Sequence, residues 1–386
     1  MAELVGEVLI VGASTRGLAE SAARAGYQVH AVDAYGDVDL AERAHTVALR
    51  RDLGIDWSPS AAVAAAASIA CPTLAYTSNL ENHPSALARL ATGRRLWGNP
   101  PGVLRQVRDP FQLAEALRNG GFRVPAVSAV EPSDVDTSGA WLLKPRRSGG
   151  GHGIRPWRPG DRVPRTRYLQ ERVEGPSGSI AFVADGRRAV PLGLSLQLPA
   201  QHAFGAAGFR YCGSLLCGGP ERLFVGEPAL AESAAAMAAA VTEAFGLVGV
   251  NGIDFVARDC VPWALEVNPR YSASMELVEE AHALSIFRLH AEACSGRLPS
   301  DSPFGRAVGQ VYGKALMYAR EPVIAGQLRQ HGALRDVPHP GERIGRGRPI
   351  CTVFAEGETA AACVDALEAR AAWVYHTGTA AARTAA

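Results

Sequence analysis

The sequence predicts an α/β protein of two or three units sharing a substantial core, because 386 residues exceed the usual single-domain size. Three observations carry that reading. The chain opens on a strand, a glycine turn, a helix and a second strand; a lysine-bearing strand later runs into a glycine-rich loop; and two further strands together carry two carboxylates and an asparagine. In detail, residues 8–11 are a short continuous apolar strand, followed by the turn from Gly12 to Gly17, a helical stretch to about Ala25 and a strand at 29–32. This order is a βαβ unit with a parallel sheet and a right-handed crossover, a Rossmann-like opening that places Asp33 at the end of the second strand. An acidic residue there can hold a ribose, but the dinucleotide fingerprint needs G-x-G-x-x-G, and Gly12, Ser14 and Gly17 supply two of its three glycines. Nicotinamide binding is therefore not expected, and the glycines read as a tight turn with close helix packing.

Strands and alanine-rich helices continue to alternate through 61–69 and 73–76, and Asn99-Pro100-Pro101-Gly102 punctuates the end of a first domain. Residues 111–119 read as an amphipathic helix stopped by Gly120 and Gly121, with a linker to about Pro132. The central unit, about 141–298, contains the chemistry. After Asp301, residues 308–318 and 350–355 read as strands and 358–373 as a helix, a small α+β unit, while 377–386 is small, polar and expected to fray.

Composition narrows the class. Thirty-nine Lys and Arg against 38 Asp and Glu give no general electrostatic reason to expect nucleic acid or an anionic membrane as partner. Seven cysteines, scattered and without a C-x-x-C pair, read as free thiols in a reducing cytoplasm. The apolar run near the N-terminus is too short for a membrane span and lacks the basic flank of a signal peptide, so the expectation is a cytoplasmic protein. No period of 20 to 50 residues recurs, which excludes a repeat architecture.

The first chemical signal is the strand around Lys144 and the loop Ser148, Gly149, Gly150, Gly151, His152, Gly153. Glycines let backbone N–H groups converge on phosphate oxygens without Cβ obstruction; Lys144 adds a point charge, and Arg146 or Arg147 further donors. Because the lysine precedes the glycines, this is not a Walker loop. The second signal is Gly252-Ile253-Asp254-Phe255, then Leu265-Glu266-Val267-Asn268-Pro269-Arg270. Side chains alternate along a strand, so Glu266, Asn268 and Arg270 share a face, while Leu265 and Val267 are expected in the core. Asp254, Glu266 and Asn268 are a hard-oxygen set suited to Mg²⁺, with Mn²⁺ as a stand-in, and Arg270 is placed to grip a transferred phosphate or a substrate carboxylate. Between the two signals lies a strand ending in a glycine turn, Tyr168-Leu169-Gln170-Glu171-Arg172-Val173-Glu174-Gly175.

In that order and at those separations, the lysine strand with its glycine loop, the Q-E-x-V-x-G strand and G-x-D-F followed by L-E-x-N-P-R resemble the ATP-grasp superfamily. The nearest likeness is to uncharacterised carboligase-like proteins related to biotin carboxylase. It rests on S-x-R-G-x-A-x-S-A-x-R-A-G near the start, N-P-R-Y-S-A-S-M-E-L and the late P-H-P-G-E-R-I. The resemblance implies a pre-ATP-grasp Rossmann-like domain over 1–109, an ATP-grasp domain over 110–300 with a lid subdomain at about 125–175, and the α+β unit over 301–376. It further implies that Lys144 contacts the α/β phosphates, that the loop from Ser148 to Gly153 closes over the triphosphate, and that the strand carrying Gln170, Glu171 and Val173 meets the adenine. Asp254, Glu266 and Asn268 would hold one or two Mg²⁺, and a homodimer would be in keeping with the superfamily.

Two departures stand out. Ser177 occupies the position where many members carry an acid for the ribose, and Arg105 to Pro110 lacks the usual D-K pair, leaving Arg108 or Arg105 to reach the nucleotide. Transferring a phosphoryl group to a carboxylate brings two anions together, so catalysis should rest on Lys144, Arg270 and the metal set rather than on a protein nucleophile. The expected reaction joins a small-molecule carboxylate to an amine through an acyl phosphate. A carboxyphosphate-forming carboxylase and a nucleotide-binding sensor without turnover are the alternatives. Candidate substrate contacts are Arg270, Ser272 and Ser274 after the metal strand, Arg210 in the 209–214 loop, and Asn79 and Glu81, with Asn82, after the strand at 73–76.

Overall fold

The computed structural model describes residues 5–130, 140–217, 222–306, 309–330 and 332–382. The first unit is a five-stranded parallel sheet made of Gly6–Val11, Tyr27–Asp33, His45–Ala48, Thr73–Tyr76 and Arg95–Trp97, ordered third, second, first, fourth, fifth. Val8, Leu9, Ile10 and Val11 are all fully buried, which explains why the first strand reads as a continuous apolar run rather than an alternating one. The order reverses beside this strand, and at such a switch point the carboxyl ends of the strands form the natural crevice. The crevice over Gly12 is filled by protein. A Cβ on Gly12 would fall 1.9 Å from Thr77 Oγ1. The Asp33 carboxylate already accepts from Thr15 N and Oγ1 (2.7 and 2.8 Å), Tyr35 N (2.7 Å) and Gly36 N (2.9 Å), which uses the roughly four lone-pair positions it has. A ribose finds no acceptor there.

The second unit is an eight-stranded antiparallel sheet in the order Val261–Asn268, Val248–Arg258, Ser177–Asp185, Ala189–Leu198, Gly213–Cys217, Val311–Tyr318, Pro349–Gly357, Leu334–Arg335. Its last three strands come from beyond residue 301. Gly213 pairs with Ala315 and Cys217 with Val311, so the stretch read as a separate α+β unit extends the central sheet edge to edge. The lid is a small sheet of Val127–Ser128, Arg167–Glu171, Trp141–Pro145 and Arg155–Pro156. Pro132, taken as the end of the linker, lies outside the described residues. The helix Pro110–Asn119 starts where the sequence places it because Asp109 Oδ1 accepts from Phe111 N (2.9 Å) and Gln112 N (3.1 Å), with proline at the first helical position. At the other end, the stretch from Thr377, expected to fray, supplies the strand Thr379–Ala381. This strand pairs with Val323–Ala325, satisfying backbone groups the sequence pattern gave no reason to pair.

Buried polar contacts hold the units together. Arg16, 2% exposed, donates through Nε and Nη2 to Asp336 (2.9 and 3.1 Å), through Nη1 to Glu20 (3.3 Å) and to Glu276, and stands 3.6 Å from Asp39. Lys314 Nζ reaches the same Glu276 and donates to Ala273 O (3.2 Å). One cluster thus joins the opening domain, the central unit and the last strands. Tyr76 OH donates to Asn99 O (3.1 Å) and Pro269 O (3.0 Å), tying the opening sheet to the end of strand Val261–Asn268.

His290 marks the seam between helix Ile286–Ala293 and the central sheet. Its Nδ1 accepts from Val250 N (3.0 Å), and burial pushes its pKa down to about 4. An unfolded histidine titrates near 6.5, so between 6.5 and 4 the unfolded chain binds more protons and stability falls as pH falls. The expected loss is about 1.4 kcal/mol per pH unit across that window. Urea midpoints measured from pH 7 to 4 should show this slope in the wild type, and His290→Gln should remove it. Equal slopes for both proteins would show that other groups set the acid limit.

Candidate active site

Strand Val261–Asn268, the candidate metal strand, and its partner Val248–Arg258 form a hairpin turned by Asp259 and Cys260, whose φ values of 52° and 60° make a two-residue turn without glycine. Register pairs Asp254 with Glu266 and Gly252 with Asn268, but the next pair is Phe255 with Ala264, so Leu265 is an extra residue in its strand. This bulge corrects one expectation. Val267 is buried in the core with Ile253 and Ala264, whereas Leu265 is turned out of it to line a cleft, and its carbonyl accepts from Gln170 Nε2 (3.2 Å).

Asp254 is the pivot of the acidic set. Its Oδ1 accepts from Gln197 Nε2 (3.0 Å) and its Oδ2 from Asn268 Nδ2 (2.9 Å); burial, then the charge of Glu266, push its pKa up to about 6. Glu266 shifts the other way. Burial opposes its ionisation, but Arg108, Lys144 and Arg270 outweigh it and hold the carboxyl below its ordinary range. Arg270 donates through Nη2 to Asn268 Oδ1 (3.3 Å), through Nη1 to Tyr271 O (2.9 Å) and through Nε to Glu81 Oε1 (2.8 Å). Two half-buried carboxylates side by side, one of them disfavoured by the other's charge, are the arrangement a divalent cation relieves, and the donors are hard oxygens. Asp254 and Glu266 therefore fit Mg²⁺. Asn268 offers its amide oxygen only in competition with Arg270.

Lys144, 7% exposed, donates to Gln170 Oε1 (2.9 Å) across the lid sheet. Arg108 is the clamp of the site. It donates to Val267 O (2.9 Å), Glu266 Oε2 (3.4 Å), Asn82 Oδ1 (3.0 Å from Nη2) and Ser148 O (3.0 Å), so one guanidinium touches the metal strand, the opening domain and the glycine loop. Asn82 Nδ2 reaches Ser148 O (3.2 Å) and Asn79 Oδ1 (2.6 Å).

The loop itself is folded back on the body. Ser148 Oγ donates to His152 O (2.7 Å), and Tyr211 N donates to Gly150 O (3.0 Å). Gly151, with φ of 74°, passes so close that a Cβ there would fall 1.7 Å from Phe209 O. His152 has its pKa lowered by burial and by the charges of Arg210 and Arg348.

Between lid and body lies a cleft of about 490 Å³, including its open mouth. Val107, Pro110, Leu113, Ile154, Tyr168, Leu265 and Val267 give it apolar walls, and Arg108, Lys144, Arg146, Ser148 and Glu266 give it a charged end. Apolar walls beside a charged end are the lining expected of a small-molecule site. The structure brings Lys144, Arg108, part of the loop and Glu266 to this end; Gln170 is bonded to Lys144, and Asp254, Asn268 and Arg270 adjoin Glu266 outside the lining. Other predicted residues lie elsewhere. Glu171 Oε2 accepts from Ala126 N (2.9 Å), and Glu171 and Val173 are not part of the cleft lining. Arg210 donates to Gly347 O (2.7 Å) and stacks on Tyr318 with 5.3 Å to the ring centroid. Ser272 and Ser274 stand 3.4 Å apart through their hydroxyls ahead of helix Met275–His282, and Ser274 makes no side-chain bond to the helix amides. Gln197, Glu276 and Lys314 were not singled out in the sequence. For Gln197 a signal existed: Ser195 and Gln197 repeat at strand period in the otherwise apolar PLGLSLQL.

A family profile described as ATP-grasp domain matches residues 107–274, which include Arg108, Lys144, the loop and the metal strand. An uncharacterized protein of Methanocaldococcus jannaschii, MJ0776, is 30% identical over 118 residues, 30% of this chain and 28% of that protein, so the match spans less than a third of the relative's length. Pyruvate carboxylase of Rhizobium etli superposes with a TM-score of 0.73 at 12% identity over 95% of this chain and 37% of that one. The biotin carboxylase domain of Hydrogenobacter thermophilus 2-oxoglutarate carboxylase, solved with Mg-ADP and bicarbonate, gives 0.71 at 15% over 95% and 89%. An L-amino acid ligase of Bacillus licheniformis gives 0.66 at 14% over 95% and 97%. At these identities the structural likeness is one of fold. No helix among the described residues is long and apolar enough to cross a membrane, and Cys71, Cys212, Cys260, Cys294, Cys351 and Cys363 are free thiols.

Proposed function

From the premise that the chain belongs to the ATP-grasp superfamily, with a fold related to that of biotin carboxylase, we propose that it is an ATP- and Mg²⁺-dependent ligase. It would activate a carboxylate as an acyl phosphate for attack by an amine, giving an amide, ADP and phosphate. One observation carries this reading: the Asp254–Glu266 acid pair lies where three cations, Arg108, Lys144 and Arg270, converge from the end of helix Pro101–Val107, the lid sheet and the end of strand Val261–Asn268. Such a centre does electrostatic work, aligning two anionic reactants and neutralising charge as it moves. Mg²⁺ held by Asp254 and Glu266 would supply further neutralisation of phosphate oxygens. Lys144, held by Gln170, and Arg108, held by Asn82, would bind the phosphates, and Arg270 would orient the carboxylate. Closure of the glycine loop would keep water from the activated acid. A cytoplasmic location fits free thiols and substrates of this kind, and a homodimer is compatible with the fold.

The second reading, a carboxyphosphate-forming enzyme, is favoured by the likeness to a biotin carboxylase domain solved with bicarbonate. Phosphate release from Mg-ATP with pooled carboxylic acids and amines, with and without bicarbonate, separates the two. Release that depends on acid and amine, and falls roughly 100-fold or more in Lys144→Ala, is the expected result. A bicarbonate requirement would favour the carboxylase. Mg-ATP binding by thermal shift with no turnover in any pool would favour a sensor, and absence of binding would defeat all three.

A further inference from the structure

A second hollow lies on the seam between the opening domain and the last strands. It is a cavity of about 480 Å³, including its open mouth, and it shares no lining residue with the cleft. Arg43, Arg329 and Arg335 line it together with Glu20, Asp39 and Glu42. Glu20 belongs to helix Arg16–Arg24, and Asp39, Glu42 and Arg43 lie in or just after helix Val38–Ala41. Arg329 and Arg335 come from the other side of the seam, from the turn Leu328–Gln330 and the strand Leu334–Arg335.

Acids and bases are equal in number on this lining, but their hydrogen-bonding capacity is not. The carboxylates are committed to the protein. Asp39 accepts from Asp336 N and Val337 N (both 2.9 Å) and stands 3.6 Å from Arg16. Glu42 takes the fork of Arg329 on its two oxygens (2.9 and 2.6 Å). Glu20 pairs through one oxygen with Arg16 and through the other with Arg24 (both 3.3 Å). The guanidiniums are far less committed. Arg43 makes no side-chain hydrogen bond among the described residues, so all five of its N–H groups are available. Arg329 gives Glu42 one N–H from Nε and one from Nη2, which leaves Nη1. Arg335 gives Nη1 to Gly332 O (2.9 Å) and Leu334 O (3.0 Å) and lies over the Phe354 ring at 5.6 Å, which leaves Nη2.

Three guanidiniums around one hollow repel one another, and they are only partly neutralised because Glu20 and Asp39 are shared with Arg16 and Arg24. An anion with two or more charged groups relieves that repulsion and meets donor forks whose geometry matches phosphate and carboxylate oxygens. We infer that this hollow is a binding site for a small polyanion, a molecule with two or more phosphate or carboxylate groups, separate from the reaction centre. The bound anion joins Arg43 of the opening domain to Arg329 and Arg335 beside the last strands. It thus staples the seam next to the Arg16 cluster, to which Glu20 and Asp39 belong. The inference does not depend on the ligase reading.

The test is calorimetric titration of the whole chain, free of nucleotide and Mg²⁺ and at low ionic strength, with citrate, with inorganic pyrophosphate and with acetate as the single-charge control. Wild type is compared with Arg43→Gln, Arg43→Lys and Lys144→Ala. Because Arg43 makes no side-chain hydrogen bond among the described residues, the unliganded thermal midpoints of its variants should match wild type. Saturable binding of citrate, pyrophosphate or both should exceed that of acetate, and Arg43→Gln should weaken it roughly tenfold, the scale of a lost charged hydrogen bond. Arg43→Lys keeps the charge without the fork and should fall between the two. The component weakened in Arg43→Gln should persist in Lys144→Ala, whose lesion is in the cleft. Binding of citrate alone would make the ligand a polycarboxylate, and of pyrophosphate alone a phosphate compound. No saturable binding of either probe, wild-type affinity in both Arg43 variants, or loss of all binding in Lys144→Ala would overturn the inference.

Discussion

Glu266→Gln is expected to reduce substrate-dependent ATP turnover by roughly 1,000-fold while leaving the protein folded, on the scale of removing a main electrostatic element from an active centre. The side chain keeps its size and loses its charge. Arg108, Lys144 and Arg270 all lower the Glu266 pKa, so this carboxylate is the counter-ion on which three cations converge. Without it those cations lose their common anchor, and Arg108 loses one of the contacts that fix it between Val267 O and Ser148 O. The Asp254 carboxyl, raised to about 6 by burial and by Glu266, would ionise more easily, yet one carboxylate holds a divalent cation less well than two. Steady-state phosphate release across a Mg²⁺ titration checks this: a lower kcat and a higher half-saturating Mg²⁺ concentration should appear together. Turnover within tenfold of wild type would remove Glu266 from the chemistry.

Arg16→Met should produce the largest loss of stability of any single change discussed, about 3–5 kcal/mol, because it leaves buried carboxylates without their partner. Asp336 shows the strength of the arrangement. Burial alone would raise its pKa, but the charge and hydrogen bonds of Arg16 bring it down to about 2. Thr352 Oγ1 also donates to it at 2.5 Å. Equilibrium denaturation at neutral pH measures the loss. Arg16→Met combined with Glu276→Gln and Asp336→Asn should cost less than Arg16→Met alone, since the stranded charges are then removed as well. A single-variant loss below about 1 kcal/mol would mean that water reaches the cluster and screens it.

Much of this architecture was legible because it is written in short-range pattern. The buried run at 8–11, the glycine loop after Lys144 and the alternation of Glu266, Asn268 and Arg270 are local, and their spacing dictates which side chains share a face. What escaped is non-local or depends on one backbone irregularity. The bulge that turns Leu265 into the cleft and the glycine-free turn at Asp259 and Cys260 have no composition signal. Gly213–Cys217 gives no hint that its partner is Val311–Tyr318, about a hundred residues away, so the last strands looked like a unit of their own. Likewise Arg16 sits in a helix whose other face is apolar, and only the fold reveals Glu276 and Asp336, 260 and 320 residues distant, as its partners.

The position of Arg108 has a consequence for the order of events at the cleft. The same guanidinium that lines the charged end of the cleft also pins the glycine loop through Ser148 O, with Asn82 beside it on the same carbonyl. A phosphate arriving at that end competes with Ser148 O for Arg108's donors. The loop is thus latched by a group that a phosphate would recruit, so occupancy and release of Ser148 O would be a single exchange of hydrogen bonds.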